Sequence, residues 1–414
     1  MVLAALAVVS LAWGTPESGA RRAFAFAADA ATDGVPWVSP DATYTDERGF
    51  GFDLGTAPTP DRQPFFFSAS VPEGNHRVTV ILGDPASGSD TTVRAESRQL
   101  MLERVMTRPG GFVSRTFIVN VRTPWIPPPP ENAPGGSAVL LNARESGFLR
   151  WDGKLTLEFG GTAPAVRSVT IEAVDCPTIH LLGDSTVADQ PDEPAAGWGQ
   201  MLPRFLRPDI AVANHAESGE TLKSFLTSLR LAKVLSMMKA GDWALIQFGH
   251  NDQKAQWPQT YAEAHTTYRA YLRTYIAEVR RRGGTPVLVT SMQRRSFDEH
   301  GRIRNTHGAY PQAVREVAAE EGVALVDLDR ASIAFYEALG PARAPLAFND
   351  DGRDATHHNN YGAYQLARCV IGALRQTTPA LAEYIAQDVA PFDPAAPDDP
   401  AAFTLSPSRL GRHP

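Results

Sequence analysis

Four short segments of this 414-residue chain each carry a group that acyl transfer requires. Ser185 lies in Gly-Asp-Ser-Thr, Gly219 follows Ala-Glu-Ser, and Asn251 lies in Gly-His-Asn-Asp, while Asp354 and His357 share the segment Asp-Ala-Thr-His. Acyl transfer needs a nucleophilic hydroxyl, a base held by a carboxylate, and donors for the negative oxygen that develops on the attacked carbonyl. Together the five residues supply all three.

The residue types assign each of them a role in that chemistry. His357 is the expected base for Ser185, and Asp354, three residues earlier, is the expected orienting carboxylate. The backbone N–H groups of Ser185 and Gly219 and the side-chain amide of Asn251 are the expected oxyanion donors, each worth about 3 kcal/mol. Each residue alone also fits a turn, a cap or a position with positive φ. Independent turn residues have no reason to be chemically complementary, so the joint pattern predicts a catalytic site.

A second imidazole, His358, adjoins the predicted base. The spacing from Asp354 favours His357 as the base, and we expect packing or a contact at the substrate edge for His358. The sequence contains no His-Glu-x-x-His segment and no cysteine close to this pair. We therefore expect neither a metal nor another cofactor.

The part of the chain that holds these residues alternates between strand-like and helix-like segments. Apolar stretches near 179–182, 210–213, 244–248, 287–290 and 324–327 each precede a predicted helix. The helices are predicted at 198–206, 222–238, 261–282, 309–321, 332–339 and 361–375. Five strands with helical crossovers imply a doubly wound parallel sheet. Ligands bind outside the carboxyl ends of such strands, where all the candidate residues fall.

Before Cys176 the pattern changes to short strands separated by turn residues. Strands are predicted at 65–67, 78–82, 116–121, 155–159 and 169–171, which is typical of an antiparallel β-sandwich. Six aromatic residues of this region either pack in its core or form a sugar-stacking platform: Trp37, Tyr44, Phe50, Phe52, Trp125 and Trp151. We divide the chain into a leader (1–28), the sandwich (29–175), the α/β domain (176–390) and a Pro/Ala/Asp-rich tail (391–414), expected to be extended and partly disordered.

Composition and patterning restrict the classes of partner. The formal net charge is −7 and no long basic run occurs, so nucleic-acid binding is not expected. An apolar stretch at 1–13 and Ser-Gly-Ala at 18–20 predict a signal peptide and a secreted or periplasmic protein, although two arginines after the stretch leave an anchored segment open. No later stretch is long and apolar enough to span a bilayer, so no membrane contact is expected after processing. Cys176 and Cys369 form either one disulfide or two buried thiols.

From about residue 179 to residue 375 the sequence resembles SGNH/GDSL-type serine esterases. Ser185 falls at the family's nucleophile, Gly219 and Asn251 at its oxyanion-hole positions, and Asp354 and His357 in its Asp-x-x-His block. The resemblance implies a flavodoxin-like α/β fold and ester hydrolysis through an acyl-enzyme. Within that family, the sequence is most similar to rhamnogalacturonan acetylesterases. Three segments carry this narrower resemblance: Gly-Asp-Ser-Thr-Val-Ala from residue 183, Gly-Trp-Gly from residue 197 and Phe-Gly-His-Asn-Asp from residue 248. That implies deacetylation of pectic polysaccharide, and the front region resembles galactose-binding-like modules attached to such esterases.

The loop after the fourth strand adds Arg294 and Arg295 to the rim of the site. These cations suit the carboxylates of a uronate backbone, but a solvated loop is the simpler interpretation. Two other functions stay open: hydrolysis of lipid or other acyl esters on the same fold, and carbohydrate binding without catalysis. A measured preference for acyl-chain length would distinguish a lipid hydrolase from an acetylesterase. A binding protein without catalysis is disfavoured because all five expected catalytic positions are occupied. We therefore predict a secreted serine esterase that acts on an acetylated polysaccharide or oligosaccharide.

Overall fold

The computed structural model describes residues 21–127 and 136–410, which form a β-sandwich followed by an α/β domain. The predicted signal-peptide features at 1–13 and 18–20 lie outside the described residues, as does most of the proline run that begins at Pro127. Export therefore stays a prediction. Among the described residues, none of the helices has the length and apolar character needed to cross a bilayer.

The front region is an antiparallel sandwich of two sheets. Its strands are β1 (Arg22–Ala25), β2 (Phe50–Asp53), β3 (Phe65–Ser70), β4 (Gly74–Leu82), β5 (Ser89–Ala95), β6 (Gln99–Thr107), β7 (Val113–Val121), β8 (Lys154–Ala163) and β9 (Val166–Ala173). One sheet has the order β1-β9-β4-β7 and the other β2-β3-β8-β5-β6. Phenylalanines from both sheets, among them Phe24, Phe67 and Phe159, fill the core between them. Strand β1 precedes residue 29, where the sequence placed the start of the sandwich, so that boundary is too late.

The second region is the predicted doubly wound parallel sheet. Its strands are β10 (Thr178–Gly183), β12 (Ala211–Asn214), β13 (Trp243–Gln247), β14 (Thr285–Val289) and β15 (Ala324–Val326), in the order β12-β10-β13-β14-β15, and a small antiparallel pair is formed by β11 (Ala195–Ala196) and β16 (His358–Asn359). The helices are α1 (Trp198–Met201), α2 (Leu222–Thr227), α3 (Arg230–Met237), α4 (Thr267–Arg281), α5 (Tyr310–Glu321), α6 (Leu328–Arg343), α7 (Asn360–Thr377) and α8 (Pro379–Ala382).

Both faces of this sheet are buried, because successive strand residues point into two different cores. In β13, for example, Leu245 packs with the core that contains α6 and α7, whereas Ile246 packs with the core that contains α3, α4 and α5. This arrangement explains why the strands are nearly continuous apolar runs rather than alternating ones. With both faces covered by helices, the carboxyl edge of the sheet is left for the loops that hold the candidate residues.

Three features of the sequence prediction need correction. The helix predicted at 222–238 is two helices, since Leu229 adopts a φ of 64° and breaks it, and the helix predicted at 261–282 begins only at Thr267. The tail is extended but not disordered through residue 410: Ser408 is 1% exposed and its hydroxyl donates to Glu158 of the sandwich at 2.6 Å.

The structure also gives the state of the two cysteines and the positions of the six aromatic residues of the front region. Cys176 and Cys369 are free buried thiols that lie in different hydrophobic clusters. The six aromatics do not form one platform, because Phe50 and Phe52 pack in the sandwich core and Trp151 is buried at 7% exposure. Trp37 and Trp125 are exposed, and the Tyr44 ring is covered by the Lys154 ammonium at 4.6 Å.

Candidate active site

Ser185 lies in a tight turn directly after β10. The Asp184 carboxylate accepts hydrogen bonds from the Thr186 N–H at 3.0 Å and the Thr186 hydroxyl at 2.8 Å, which closes the turn. Gly183 is required there, because a Cβ at this position would lie 2.5 Å from the Val187 side chain. Ser185 is only 8% exposed, so its hydroxyl is fixed by the fold at the carboxyl end of a central strand.

His357 and Asp354 come to this hydroxyl from the loop before α7. His357 Nε2 is 2.9 Å from Ser185 Oγ, and His357 Nδ1 is 2.7 Å from the Asp354 carboxylate. The other oxygen of that carboxylate accepts the backbone N–H groups of Thr356 and His357 at 2.7 and 3.0 Å. Burial alone would raise the pKa of Asp354, but these hydrogen bonds outweigh it and hold the pKa below its usual value. Asp354 is therefore a carboxylate at neutral pH and suits the orienting role.

The three expected oxyanion donors lie on three different loops of the same edge. Gly219 has a φ of 87°, and the space that a Cβ would fill there is open to 4 Å. Asn251 is 5% exposed, and its Nδ2 donates to the Glu220 carbonyl at 3.0 Å, which joins its loop to that of Gly219. Neither the Ser185 nor the Gly219 backbone N–H has an acceptor within the part of the chain that the structure describes. Both N–H groups are thus available to a developing oxyanion.

Two of the donor N–H groups, those of Ser185 and of the Asn251 side chain, are oriented by hydrogen bonds to the carbonyl oxygen of the same amide group. The Asp184 carbonyl, which shares a peptide with the Ser185 N–H, accepts from the Val187 and Ala188 N–H groups, both at 3.0 Å. Asn251 Oδ1 accepts from the Lys254 ammonium at 2.7 Å, so that the amide nitrogen faces away from Lys254. Lys254 is a residue that the sequence analysis missed. Its position three residues after Asn251 is the only local signal for it.

Two buried carboxylates lie beneath the site without a complete set of donors. Burial raises the pKa of Asp184, and burial together with the neighbouring Asp184 charge raises the pKa of Asp252 to about 7. One oxygen of each is buried with no hydrogen-bond partner among the described residues. Asp252 also caps α2 by accepting the Leu222 N–H at 2.9 Å. In the described chain, no group of three or more His, Cys, Asp or Glu residues has the arrangement of a metal site.

Arg295 and His358 lie beside the site in structural roles. The Arg295 guanidinium donates to the carbonyls of Gly352 and Asp354 and packs over the Phe348 ring at 5.3 Å, so it supports the loop of Asp354. His358 is 1% exposed and hydrogen-bonds the Tyr336 hydroxyl at 2.7 Å, and burial lowers its pKa to about 3. Packing is therefore the role that the structure gives to His358.

Arg294 is half-buried and closer to the catalytic charges. It donates to the His250 carbonyl at 3.2 Å, and burial lowers the pKa of its guanidinium while the nearby Asp184 raises it. Its guanidinium also lies 3.5 Å from the Thr306 carbonyl oxygen and 3.4 Å from His307 Nε2, and its charge remains a candidate for an anionic substrate.

Comparison with known proteins identifies the family of the α/β domain. Residues 181–366 match the GDSL-like lipase/acylhydrolase family. The chain is 36% identical over 220 residues to rhamnogalacturonan acetylesterase RhgT of Bacillus subtilis, covering 50% of this chain and 93% of RhgT. It is 36% identical over 213 residues to the probable rhamnogalacturonan acetylesterase YesY of the same organism, covering 51% and 98%.

A third relative extends into the front region. The uncharacterized esterase YxiM of Bacillus subtilis is 28% identical over 315 residues, which covers 75% of this chain and 74% of YxiM. The extent and identity of the match to RhgT, together with the arrangement of loops around Ser185, establish the relationship: the chain belongs to the GDSL-like lipase/acylhydrolase family and is an esterase.

Proposed function

We propose that this esterase is a secreted enzyme that removes acetyl groups from rhamnogalacturonan through a Ser185–His357–Asp354 acyl-enzyme mechanism. The observation that carries the proposal is the continuous chain of hydrogen bonds from Ser185 Oγ to His357, 2.9 Å, and from His357 to Asp354, 2.7 Å. The similarity to the rhamnogalacturonan acetylesterase RhgT and the probable rhamnogalacturonan acetylesterase YesY supports the substrate class, and the predicted signal peptide supports export.

The first half of the reaction forms an acetyl-serine. Ser185 Oγ attacks the acetyl carbonyl carbon while its proton passes to His357 Nε2, and Asp354 stabilises the imidazolium that results. Negative charge moves to the former carbonyl oxygen, which the Ser185 and Gly219 N–H groups and the Asn251 amide stabilise. The intermediate collapses, the bond to the sugar oxygen breaks, and that oxygen takes the proton from His357 as the deacetylated sugar leaves.

The second half restores the enzyme by hydrolysis. A water molecule gives one proton to His357 Nε2 and attacks the acetyl-serine carbonyl, and the same three donors stabilise the second tetrahedral intermediate. The bond to Ser185 Oγ then breaks, the oxygen recovers its proton from His357, and acetic acid is released, which ionises to acetate and a proton in solution.

The exposure of the site suits an ester group on a long polymer. The His357 side chain is 41% exposed and that of Asp354 is 26% exposed, so the base lies at the surface rather than in a closed tunnel. A small acyl group can reach Ser185 there while the rest of a polysaccharide stays on the surface of the protein.

The test is acetate release from acetylated rhamnogalacturonan, acetylated xylan and a long-chain acyl ester by wild type and by Ser185→Ala. Ser236→Ala is a matched control, because that hydroxyl donates to the Lys233 carbonyl within α3 and has no other hydrogen bond among the described residues. Serine-dependent release that favours the pectic substrate supports the proposal. Activity that survives Ser185→Ala contradicts the mechanism, and serine-dependent activity that favours xylan or the long-chain ester contradicts the substrate class.

A further inference from the structure

The peptide that presents the Gly219 N–H is held by a residue of the front sandwich. Arg144 lies in the 3₁₀ helix Ala143–Gly147, between β7 and β8. Its Nη2 donates to the Ser218 carbonyl oxygen at 2.6 Å. That oxygen and the Gly219 N–H belong to one planar trans peptide and point in opposite directions. A guanidinium fixed on the oxygen therefore determines where the N–H points.

Arg144 is itself held in place by the residue before this peptide. Its Nε donates to the Glu217 carboxylate at 3.0 Å, and Arg150 binds the other carboxylate oxygen. Glu217 is 1% exposed and Arg150 is 2% exposed, so this pair is buried between the two domains. Arg150 also donates to the Asp189 carbonyl at 2.9 Å, four residues beyond Ser185. The same cation thus contacts the loops of the nucleophile and of the oxyanion donor.

The residue after Gly219 is linked to the same segment of the sandwich through one arginine of the α/β domain. Arg230 of α3 donates to the Glu220 carboxylate at 3.0 Å and to the Glu145 carboxylate at 2.5 Å. Glu145 is fully buried and also accepts the Trp151 indole N–H at 3.2 Å. We call residues 142–151 the buttress segment. It contacts the Gly219 loop directly at Glu217 and Ser218, and it is linked to Glu220 through Arg230 of α3.

We propose that the buttress segment positions the Gly219 N–H for oxyanion stabilisation, with Arg144 as the residue that sets the direction of the donor peptide. A cation on the carbonyl also polarises the peptide and makes its N–H a stronger donor. Arg144 acts through the Ser218–Gly219 peptide, so it is a positioning residue. The inference rests on the proposed serine-esterase mechanism and gives the sandwich a part in it.

Arg144→Met is the direct test, because the Arg144 side chain is 51% exposed and Glu217 keeps Arg150 as a partner. Complete loss of one oxyanion donor typically lowers kcat 10²–10³-fold. A donor that remains but is misdirected should cost about tenfold in kcat on a short acetyl ester, with KM within about twofold. Arg77→Met is the matched control, because Arg77 pairs with Glu172 at 3.9 Å on the same sandwich at 38% exposure.

A second readout is affinity for a small alkylboronic acid, which forms a tetrahedral anionic adduct on the serine. We expect Arg144→Met to weaken this affinity by the same factor as kcat, since both depend on the oxyanion donors, while Arg77→Met changes neither. Arg144→Lys keeps the cation near Glu217 and should recover at least threefold of the lost rate.

Two results would overturn the inference. One is a folded Arg144→Met protein with wild-type kcat. The other is a lower kcat with wild-type boronate affinity, both measured below the unfolding temperature of the variant. The donor peptide would then be correctly directed, and the loss of rate would have another cause. If wild type itself shows no Ser185-dependent hydrolysis, the proposed function fails first, and that result is distinct from both.

Discussion

Lys254 should act on the reaction only through Asn251. Its ammonium donates to Asn251 Oδ1 at 2.7 Å and lies 4.6 Å from the centre of the Trp257 ring. A hydrogen bond to a charged group contributes about 1.5–3 kcal/mol. Lys254 is partly exposed, so water replaces some of that interaction, and we take about 1.4 kcal/mol as the loss in Lys254→Met. This corresponds to a kcat about tenfold lower.

A double-mutant cycle tests whether the effect passes through the amide. Asn251→Ala removes one oxyanion donor and should lower kcat by about 10²-fold or more. In that background Lys254→Met has no amide left to orient, so it should cost less than about twofold. The assay is kcat and KM on a short acetyl ester for wild type, both single variants and the double variant.

Lys239→Met provides the control, since its ammonium pairs with Asp175 on the surface. Equal losses from Lys254→Met in both backgrounds would refute the reasoning, because Lys254 would then act on the substrate or on the oxyanion directly. A loss that appears in KM alone would refute it as well.

Three other predictions concern the carboxylates and Arg295. Asp354→Asn should lower kcat by about 10⁴-fold with the melting temperature nearly unchanged, because the amide favours the wrong tautomer of His357; a loss below tenfold would contradict this role. The pKa of Asp252 is about 7 in the folded protein and about 3.9 in the unfolded chain. Between these two values the folded protein binds a proton that the unfolded chain does not bind, so the free energy of unfolding decreases as the pH rises from about 4 to about 7. From pH 5 to pH 8, urea unfolding of wild type should therefore lose about 2 kcal/mol more than that of Asp252→Asn, and parallel pH profiles would contradict it. Arg295→Met should lower the melting temperature and kcat through the Asp354 loop and leave the ratio of activities on uronate and neutral acetyl esters unchanged, whereas a changed ratio would point to substrate contact.

The candidate site was predictable from sequence because the geometry of a parallel sheet does most of the assembly. Ser185, Gly219 and Asn251 follow strands that are neighbours in the sheet, so their strand ends meet at one edge whatever the loops do in detail. The choice of His357 over His358 followed from its spacing to Asp354, and the observed distances agree with that choice. Arg144, which we propose to act through the Ser218–Gly219 peptide, lies 74 residues before Ser218, and no local pattern in the sequence indicates it.

The sequence analysis missed some strands of the sandwich because their polar residues are buried by distant parts of the chain. Strand β5 has the polar sequence Ser-Asp-Thr-Thr-Val-Arg-Ala, yet all seven residues are buried. The alternation typical of a half-solvated strand is absent because other parts of the chain cover it, as when Arg94 donates to the Ser406 carbonyl. Arg98, in the turn that follows, donates to the Gln190 and Ala195 carbonyls of the α/β domain at 3.0 and 2.9 Å. Burial by a neighbouring domain thus overrides the pattern on which strand prediction depends.

The ordered tail contacts both the sandwich and the α/β domain, so the three segments depend on one another for hydrogen-bond partners. Glu193 of the α/β domain accepts from Arg98 of the sandwich and from the Ser408 N–H, both at 2.7 Å, and Glu158 of the sandwich accepts from the Ser408 hydroxyl and the Arg409 N–H. A carboxylate that is buried and then loses its donors costs several kcal/mol. Exchange of the front module would remove the Arg98 partner of Glu193, and shortening of the carboxyl terminus would remove hydrogen-bond donors from both carboxylates. In this chain we therefore expect a loss of stability when one of the three segments is exchanged or removed without the others.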